Sequence, residues 1–482
     1  MDKNILANLI RLLGPDRVLT QKEDLLAYAF DGTPILNELP GCVIFPDSAA
    51  QISEILKLAN QKRIPVVTRG SGTSLSGGSL PVPGCMVLCT VKMDRILNVD
   101  AANSTALVEP GVVTARLDEA VQSHGLFYPP DPGSMHISTL GGNVAHNSGG
   151  LRGLKYGVTR DYVMALQVVL SQGDILETGT ACVKDVAGYR LKDLFIGSEG
   201  TLGIITRILM KLVPKPRARK TMLATFSTMQ AAAETVSAII ASRIIPCTLE
   251  FLDRTTIHCV EEYAKIGLPL DVEALLLMET DGHPVVVEEE AAAMNRIARD
   301  HGAMSVTVAK DNDEALRLSS ARRTAFSALA RVAPTTILED ATVPRDRLAE
   351  MIGFIQKTAE KYKVRIGTFG HMGDGNLHPT FLTDERNTNE IRRVEQAFTE
   401  IFEKAVALGG TITGEHGVGL AKKKFLHLVT GPVGLNVHRQ LKQALDPNGI
   451  LNPGKIFDVG GPHPTSLQQG EEWRGILDLS AS

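Results

Sequence analysis

Two short stretches carry the residue types that chemistry needs. Gly370-His371-Met372-Gly373-Asp374-Gly375-Asn376-Leu377-His378-Pro379 sets two imidazoles seven residues apart around a Gly-Asp-Gly-Asn turn. Gly414-Glu415-His416-Gly417-Val418-Gly419 sets a carboxylate beside an imidazole between glycines. Neither stretch has the apolar period of an ordinary core segment. Two His and one Glu suit a borderline divalent metal such as zinc, with positions left open for a substrate. His416 then remains for acid–base work. A lone histidine reads first as a satisfied residue of a polar turn. Four such groups in two glycine-flanked turns favour a functional site.

Such a site needs a scaffold, and the composition bounds it. The chain has 482 residues, too many for one hydrophobic core, so two or three domains are expected. Hydrophobic residues make up 44% and charged ones 22%, as in soluble globular proteins. A net charge of −4 with no basic stripe argues against nucleic-acid binding. The six cysteines form no CxxC, which excludes a zinc ribbon or an iron–sulfur cluster of that kind and reads as reduced, mostly buried thiols of a cytoplasmic protein. The first residues form an amphipathic helix stopped at Gly14, too short and too polar at its start for a signal peptide, and no apolar run is long enough to span a membrane.

Three Gly-rich loops precede the two motifs. A β-α-β unit comes first: a strand at Cys42–Phe45, a helix capped by Ser48 and Gln51, and a strand at Pro65–Thr68. Arg69-Gly70-Ser71-Gly72-Thr73-Ser74-Leu75-Ser76-Gly77-Gly78 follows. Its backbone amides and hydroxyls form a nest suited to a pyrophosphate. It is neither the nicotinamide fingerprint, since Leu75 stands where the third Gly would fall, nor a P-loop. The second loop spans Pro129–Ser134 and Thr139–Gly150, with Tyr156-Gly157 after it, and its small residues suit a wall against a large planar ligand. The third, Gly197-Ser198-Glu199-Gly200-Thr201-Leu202-Gly203-Ile204, leads into a β-rich run to Val213. Pro214-Lys215-Pro216-Arg217 reads as a domain boundary.

With these loops the chain resembles the FAD-binding domain of the vanillyl-alcohol oxidase / p-cresol methylhydroxylase superfamily. With the His371–His378 and Glu415–His416 motifs it resembles that superfamily's D-2-hydroxyacid dehydrogenase branch, which includes the glycolate oxidase D subunit, FAD-linked D-lactate dehydrogenase and D-2-hydroxyglutarate dehydrogenase. The resemblance runs from about Cys42 to Phe457. It implies an α+β chain, with a two-part FAD-binding domain and an α+β cap domain built on an antiparallel sheet. The domains are then 1–217 for FAD, 218–415 for the cap carrying the metal motif, and 416–482 returning to the FAD domain before a loose tail. Trp473, the sole Trp, is the candidate to dock that tail.

The resemblance assigns FAD contacts to Arg69, Gly70, Ser71, Gly72, Thr73, Ser74 and Gly77 in the first loop. Pro132, Ser138, Gly141, Gly142, Asn143, Ala145, Asn147, Gly149, Gly150 and Gly157 follow in the second. Glu199, Gly200, Gly203 and Ile204 come from the third, and Asn452 from the closing Asn448–Lys455 segment. The first loop lacks the His or Cys that ties FAD covalently in some relatives, which implies non-covalent FAD.

The second half reads independently as three β-α-β units, Met222–Leu252, Leu275–Val308 and Ile337–Gly370, with helices on one face of a sheet. The histidine motif falls at a strand end and its following turn. The resemblance makes His371, His378 and Glu415 ligands of one divalent metal, zinc with manganese or iron as alternatives, and His416 the base. Their site is expected between cap and flavin domains. Arg322 matches the family's carboxylate-binding Arg by its spacing to Phe326, although Ser319 stands where the family usually has Trp. The plain alternative is that Arg322 or Arg323 is a solvated helix charge.

The resulting expectation is FAD-dependent oxidation of a short D-2-hydroxy acid, D-lactate or glycolate, by proton abstraction and hydride transfer to flavin. Thr380 stands where relatives acting on 2-hydroxyglutarate carry Asn, and Phe326 offers no polar contact to a second carboxylate. Electrons then leave to a partner, an electron-transfer flavoprotein or iron–sulfur subunits at the membrane. The competing readings are a D-2-hydroxyglutarate dehydrogenase, a metal-dependent hydrolase, and a non-catalytic scaffold subunit.

Overall fold

Short apolar runs alternating with capped helices build the N-terminal half. The computed structural model describes residues 1–458, so the tail and Trp473 lie outside the described residues. By its internal contacts the chain forms two units. The first holds Met1–Ser148, Val158–Lys215 and the described residues from Glu415 on; the second holds Gly149–Gly157 and Pro216–Gly414.

The first unit contains two main sheets. Strands β1 (Val18–Leu19), β2 (Cys42–Ile44), β3 (Val66–Arg69) and β4 (Met86–Cys89) lie in the order β1-β2-β4-β3, with β2, β4 and β3 parallel. Ser48 caps the helix Ala49–Lys62 by accepting from the Gln51 amide, and Gln51 reaches back to the Asp47 amide. Ile52, Ile55, Leu56 and Ala59 then lie on one helix face and pack on Ile44, Val66 and Leu88. Each large aliphatic side chain so buried contributes roughly 1.5–3 kcal/mol. Ile450 and Leu451 join this core, and the segment hydrogen-bonds along the edge of β3 through Val66 and Asn452.

The second sheet is antiparallel. It is made of β5 (Ile96–Asp100), β6 (Thr105–Val108), β8 (Val163–Val169), β9 (Ile175–Gly179) and β10 (Ile204–Lys211), in the order β5-β6-β10-β8-β9. A two-residue pairing of β7 (Leu126–Phe127) with β11 (Val213–Pro214) completes the unit. The second Gly-rich loop is more regular than its composition suggests. Thr139 caps a two-turn helix, Leu140–His146, by accepting from the Gly142 amide.

The second unit is one antiparallel sheet of eight strands. They are β12 (Ala218–Phe226), β13 (Thr248–Asp253), β14 (Ala274–Gly282), β15 (Ala303–Val308), β16 (Thr335–Leu338), β17 (Ala341–Thr342), β18 (Arg365–His371) and β19 (Asn376–Thr383). The order is β15-β12-β14-β13-β18-β19-β16, with β17 also on β19. Helices Met229–Ala241, Pro284–Asp300, Leu348–Tyr362 and Thr388–Ala407 cover one face, where Phe381 of β19 meets Phe398 edge-on.

Two details differ from the sequence reading. The other face is not bare. Helix Asn312–Arg323 lies on it, tied by Ser319 to Glu279 and by Arg322 to Glu250, and Leu329 of helix Ala325–Leu329 sits against Gly367. The polarity of Asn312–Arg323 hid the helix, because few of its residues are apolar. His378 is also not in a turn. The turn is only the four residues 372–375, and β19 begins at Asn376. Gly and Asn lower strand propensity, yet pairing with β18 on one side and with β17 and then β16 on the other overrides that.

Asp253 joins the sheet to helix Arg254–Ala264. Its buried carboxylate accepts from the Thr256 amide at 2.8 Å and the Thr368 amide at 2.7 Å. Burial pushes its pKa up from 3.8 to about 6, against the pull of those amides. A raised folded pKa adds stability below the unfolded value and loses it as pH rises through about 6. Asp253→Asn should therefore gain on the wild type by about 1 kcal/mol between pH 5 and pH 7. Urea midpoints of both proteins at the two pH values check this.

Candidate active site

The antiparallel register decides which side chains meet. In the second unit Glu250 of β13 faces His371 of β18, and Phe369 faces His378 of β19. Residues two apart share a face, so Glu250, Phe369, His371, His378 and Thr380 point the same way. The two imidazole rings meet edge-on with centroids 5.1 Å apart, and both are buried.

The turn between the histidines is tight. The amides of Asp374 and Gly375 donate to the His371 carbonyl, and Gly375 has a φ of +88°. A Cβ at Gly375 would lie 2.0 Å from the Val343 carbonyl oxygen.

Glu250 is wholly buried, with 0% of its surface exposed. One oxygen hydrogen-bonds His371 Nδ1 at 2.7 Å; the other forms an ion pair with Arg322 Nε at 2.6 Å that lacks the alignment of a hydrogen bond. Burial alone would raise its pKa. His371 and Arg322 outweigh that and keep the carboxyl below its usual range. An ionised Glu250 accepts, so His371 carries a proton on Nδ1. The Arg322 guanidinium also stacks on Phe369, 4.6 Å from the ring centroid. Arg322 is thus a buried, paired cation and not a solvated charge, whereas Arg323 is exposed. Ser319 donates to Glu279, and Phe326 is 36% exposed. The sequence reading missed Glu250. Its only signal was an acid in the middle of the otherwise apolar strand Thr248–Leu252.

Glu415 and His416 open the last part of the first unit. His416 Nε2 lies 3.7 Å from Glu415 Oε1, and the His416 carbonyl contacts His146 Nδ1 at 3.1 Å. Glu199 holds the loop that follows, accepting from the Val418 amide at 2.7 Å and the Gly419 amide at 2.8 Å. Burial pushes the Glu199 carboxyl up, while His146 and these amides pull the other way. In the second unit Asp340 accepts from Thr413 Oγ1 at 2.6 Å and the Gly414 amide at 2.9 Å, which pins the residues just before Glu415.

The three Gly-rich loops of the first unit converge. Asn452 Nδ2 bridges the carbonyls of Gly78 and Glu199, at 2.7 Å each. Gly141 approaches Pro110 so closely that a Cβ would sit 2.5 Å from the proline Cβ. Among the described residues the amides of Ser71, Gly72, Thr73 and Ser74 make no hydrogen bond, and the buried Ser71 hydroxyl has no partner. Four such amides with a hydroxyl fit the pyrophosphate of a dinucleotide. Gly149, Gly150 and Gly157 of the expected set cluster instead with the second unit.

This fold and this cradle define a flavin-dependent oxidoreductase. The family description "FAD linked oxidases, C-terminal domain" matches residues 215–456, and "FAD binding domain" matches residues 40–179. The chain belongs to the FAD-linked oxidases. It is 54% identical over 455 residues to the glycolate oxidase subunit GlcD of Bacillus subtilis, covering 94% of this chain and 97% of that one. It is 37% identical over 440 residues to the D-lactate dehydrogenase of Archaeoglobus fulgidus, covering 89% and 95%. The crystal structure of p-cresol methylhydroxylase with substrate bound superposes with a TM-score of 0.78 at 19% identity, covering 95% and 97%, which shows the shared fold. Among the described residues no helix is long and apolar enough to cross a membrane.

Gly375→Ala should lower stability by about 2 kcal/mol and cut turnover at least tenfold, because the alanine forces the histidine turn open. Flavin per chain should stay at the wild-type level. Urea midpoints, turnover with an artificial electron-accepting dye and 450 nm absorbance per chain check this.

Proposed function

We propose that the chain oxidises a short D-2-hydroxy acid, D-lactate or glycolate, to the 2-oxo acid. The observation that carries this is the Glu250 pair: one buried carboxylate holds both an imidazole and a guanidinium. The names of the relatives, glycolate oxidase subunit and D-lactate dehydrogenase, support the substrate class.

The residues divide the work. Arg322 grips the substrate carboxylate with its terminal nitrogens, the bidentate mode that guanidinium favours. His371, His378 and Glu415 would hold one divalent ion, zinc with manganese or iron as alternatives; two buried imidazoles and a carboxylate suit such an ion. When bound, the ion supplies a Lewis acid that lowers the pKa of the substrate hydroxyl. His416 takes the hydroxyl proton at Nε2, the nitrogen flanked by Glu415. FAD, when bound, supplies the hydride acceptor for C2. The amides of residues 71–74 hold it without a covalent bond, since Ser and Thr occupy the loop where a His or Cys would attach. Thr380 shares the face of His378 and spends its hydroxyl on the His378 carbonyl at 3.1 Å, which favours a small substrate over a diacid.

Electrons leave to a partner. The word subunit in the name of the Bacillus subtilis relative supports a multi-subunit assembly, with an electron-transfer flavoprotein or an iron–sulfur subunit as acceptor. A panel of D-lactate, glycolate and D-2-hydroxyglutarate with an artificial dye should give the higher kcat/KM for one of the two short acids, with little peroxide formed. A clear preference for 2-hydroxyglutarate, or peroxide formed at the rate of turnover, overturns this reading.

His378→Ala should lose metal and activity together while flavin stays bound. His416→Ala should keep both metal and flavin and lose a factor of roughly 10²–10⁴ in turnover, the scale of a positioned general base. If chelation removes all metal and leaves dye reduction unchanged, the metal assignment is wrong.

A further inference from the structure

Glu250 lies opposite His371 across the β13–β18 pairing, at the centre of an apolar strand. An unpaired carboxylate there would be strongly unfavourable, and a lone aliphatic residue would pack as well. Its position is explained by its two partners. His371 Nδ1 is 2.7 Å from one oxygen, which fixes the ring's rotation and so the direction in which Nε2 points. Arg322 Nε is 2.6 Å from the other oxygen, and Phe369 supports the guanidinium face 4.6 Å away. A guanidinium held through Nε keeps its terminal edge for an anion.

We propose that Glu250 is a positioning residue that couples metal binding to carboxylate recognition, by orienting His371 and Arg322 with its two oxygens. The proposal rests on the hydroxy-acid reading above. It extends that reading from the groups that touch metal and substrate to the one that aligns them. Coupling follows from the single carboxylate. A change that rotates it to suit one partner withdraws it from the other, so the metal ligand and the anion grip cannot be tuned separately.

The test uses the full-length, flavin-loaded protein. Glu250→Gln keeps the shape but has only one good acceptor oxygen and no charge. After chelation, zinc alone is titrated back and bound metal per chain is read. KM for D-lactate and for glycolate is then measured at saturating zinc. The expected result is a 10–100-fold loss of zinc affinity and at least a tenfold rise in KM, with flavin content unchanged. A folded Glu250→Gln protein that keeps the wild-type zinc affinity or the wild-type KM overturns the coupling. His378→Ala separates the two levels of the argument. If it binds zinc as the wild type does, the metal reading itself fails; if it loses zinc while Glu250→Gln does not, only the positioning role fails. Should Glu250→Gln not fold, Glu250→Asp decides: a side chain one methylene shorter cannot reach both partners, so the same loss of zinc affinity and rise in KM are expected, and a wild-type value of either overturns the proposal.

Discussion

The register of one antiparallel sheet governs the site in the second unit. Glu250, Phe369, His371 and His378 come from three neighbouring strands and share a face only because each pairing is set as it is. Side chains alternate with a period of two, so a slip of one residue in β18 would turn His371 toward the helices Leu348–Tyr362 and Thr388–Ala407 and leave Glu250 without its imidazole. The Phe381–Phe398 contact and the apolar helices on the far face hold that register from behind. Burial of ordinary hydrophobic residues thus fixes the geometry of the polar ones.

The first unit solves a different problem. It brings backbone, not side chains, to one place. Asn452 ties two Gly-rich loops by their carbonyls, and Glu199 fastens the chain after His416 by its amides. Each tie joins segments more than two hundred residues apart in sequence. What is left are the amides of residues 71–74, which among the described residues bond to no part of the protein.

Much of this was legible in the residues, for identifiable reasons. Glycines, histidines and acids in short clusters stand out against an apolar period, so the loops and both motifs could be found without coordinates. Ser48, Gln51 and the spacing of Ile52, Ile55, Leu56 and Ala59 announce a helix because capping and amphipathicity are local. Glu250 was not legible, since its partners lie 72 and 121 residues away and a single acid in a short strand does not name them. The bounds of helix Asn312–Arg323 were obscured by its charges, and Arg322 within it was singled out only through the family resemblance. The strand character of His378 was also hidden, because the turn residues before it gave a strong local signal and the pairing that outweighs them is tertiary.

The short stretch Gly149–Gly157 interrupts the first unit and groups with the second. There Lys155 Nζ reaches Asp281 Oδ1 at 2.5 Å, and the Tyr156 hydroxyl donates to Asp281 Oδ2 at 2.8 Å. The second unit is therefore not a cassette. Excising or exchanging residues 216–414 as a block would leave the carboxylate of Asp281, almost wholly buried, without the ammonium and phenol that neutralise it. Recombination between relatives that keeps these residues together must carry two crossovers around a nine-residue segment as well as two around the block. Chimeras built at the obvious proline-rich joint alone inherit mismatched halves of this contact, and the identity of residues 155, 156 and 281 becomes a compatibility rule for exchanging the second unit within the family.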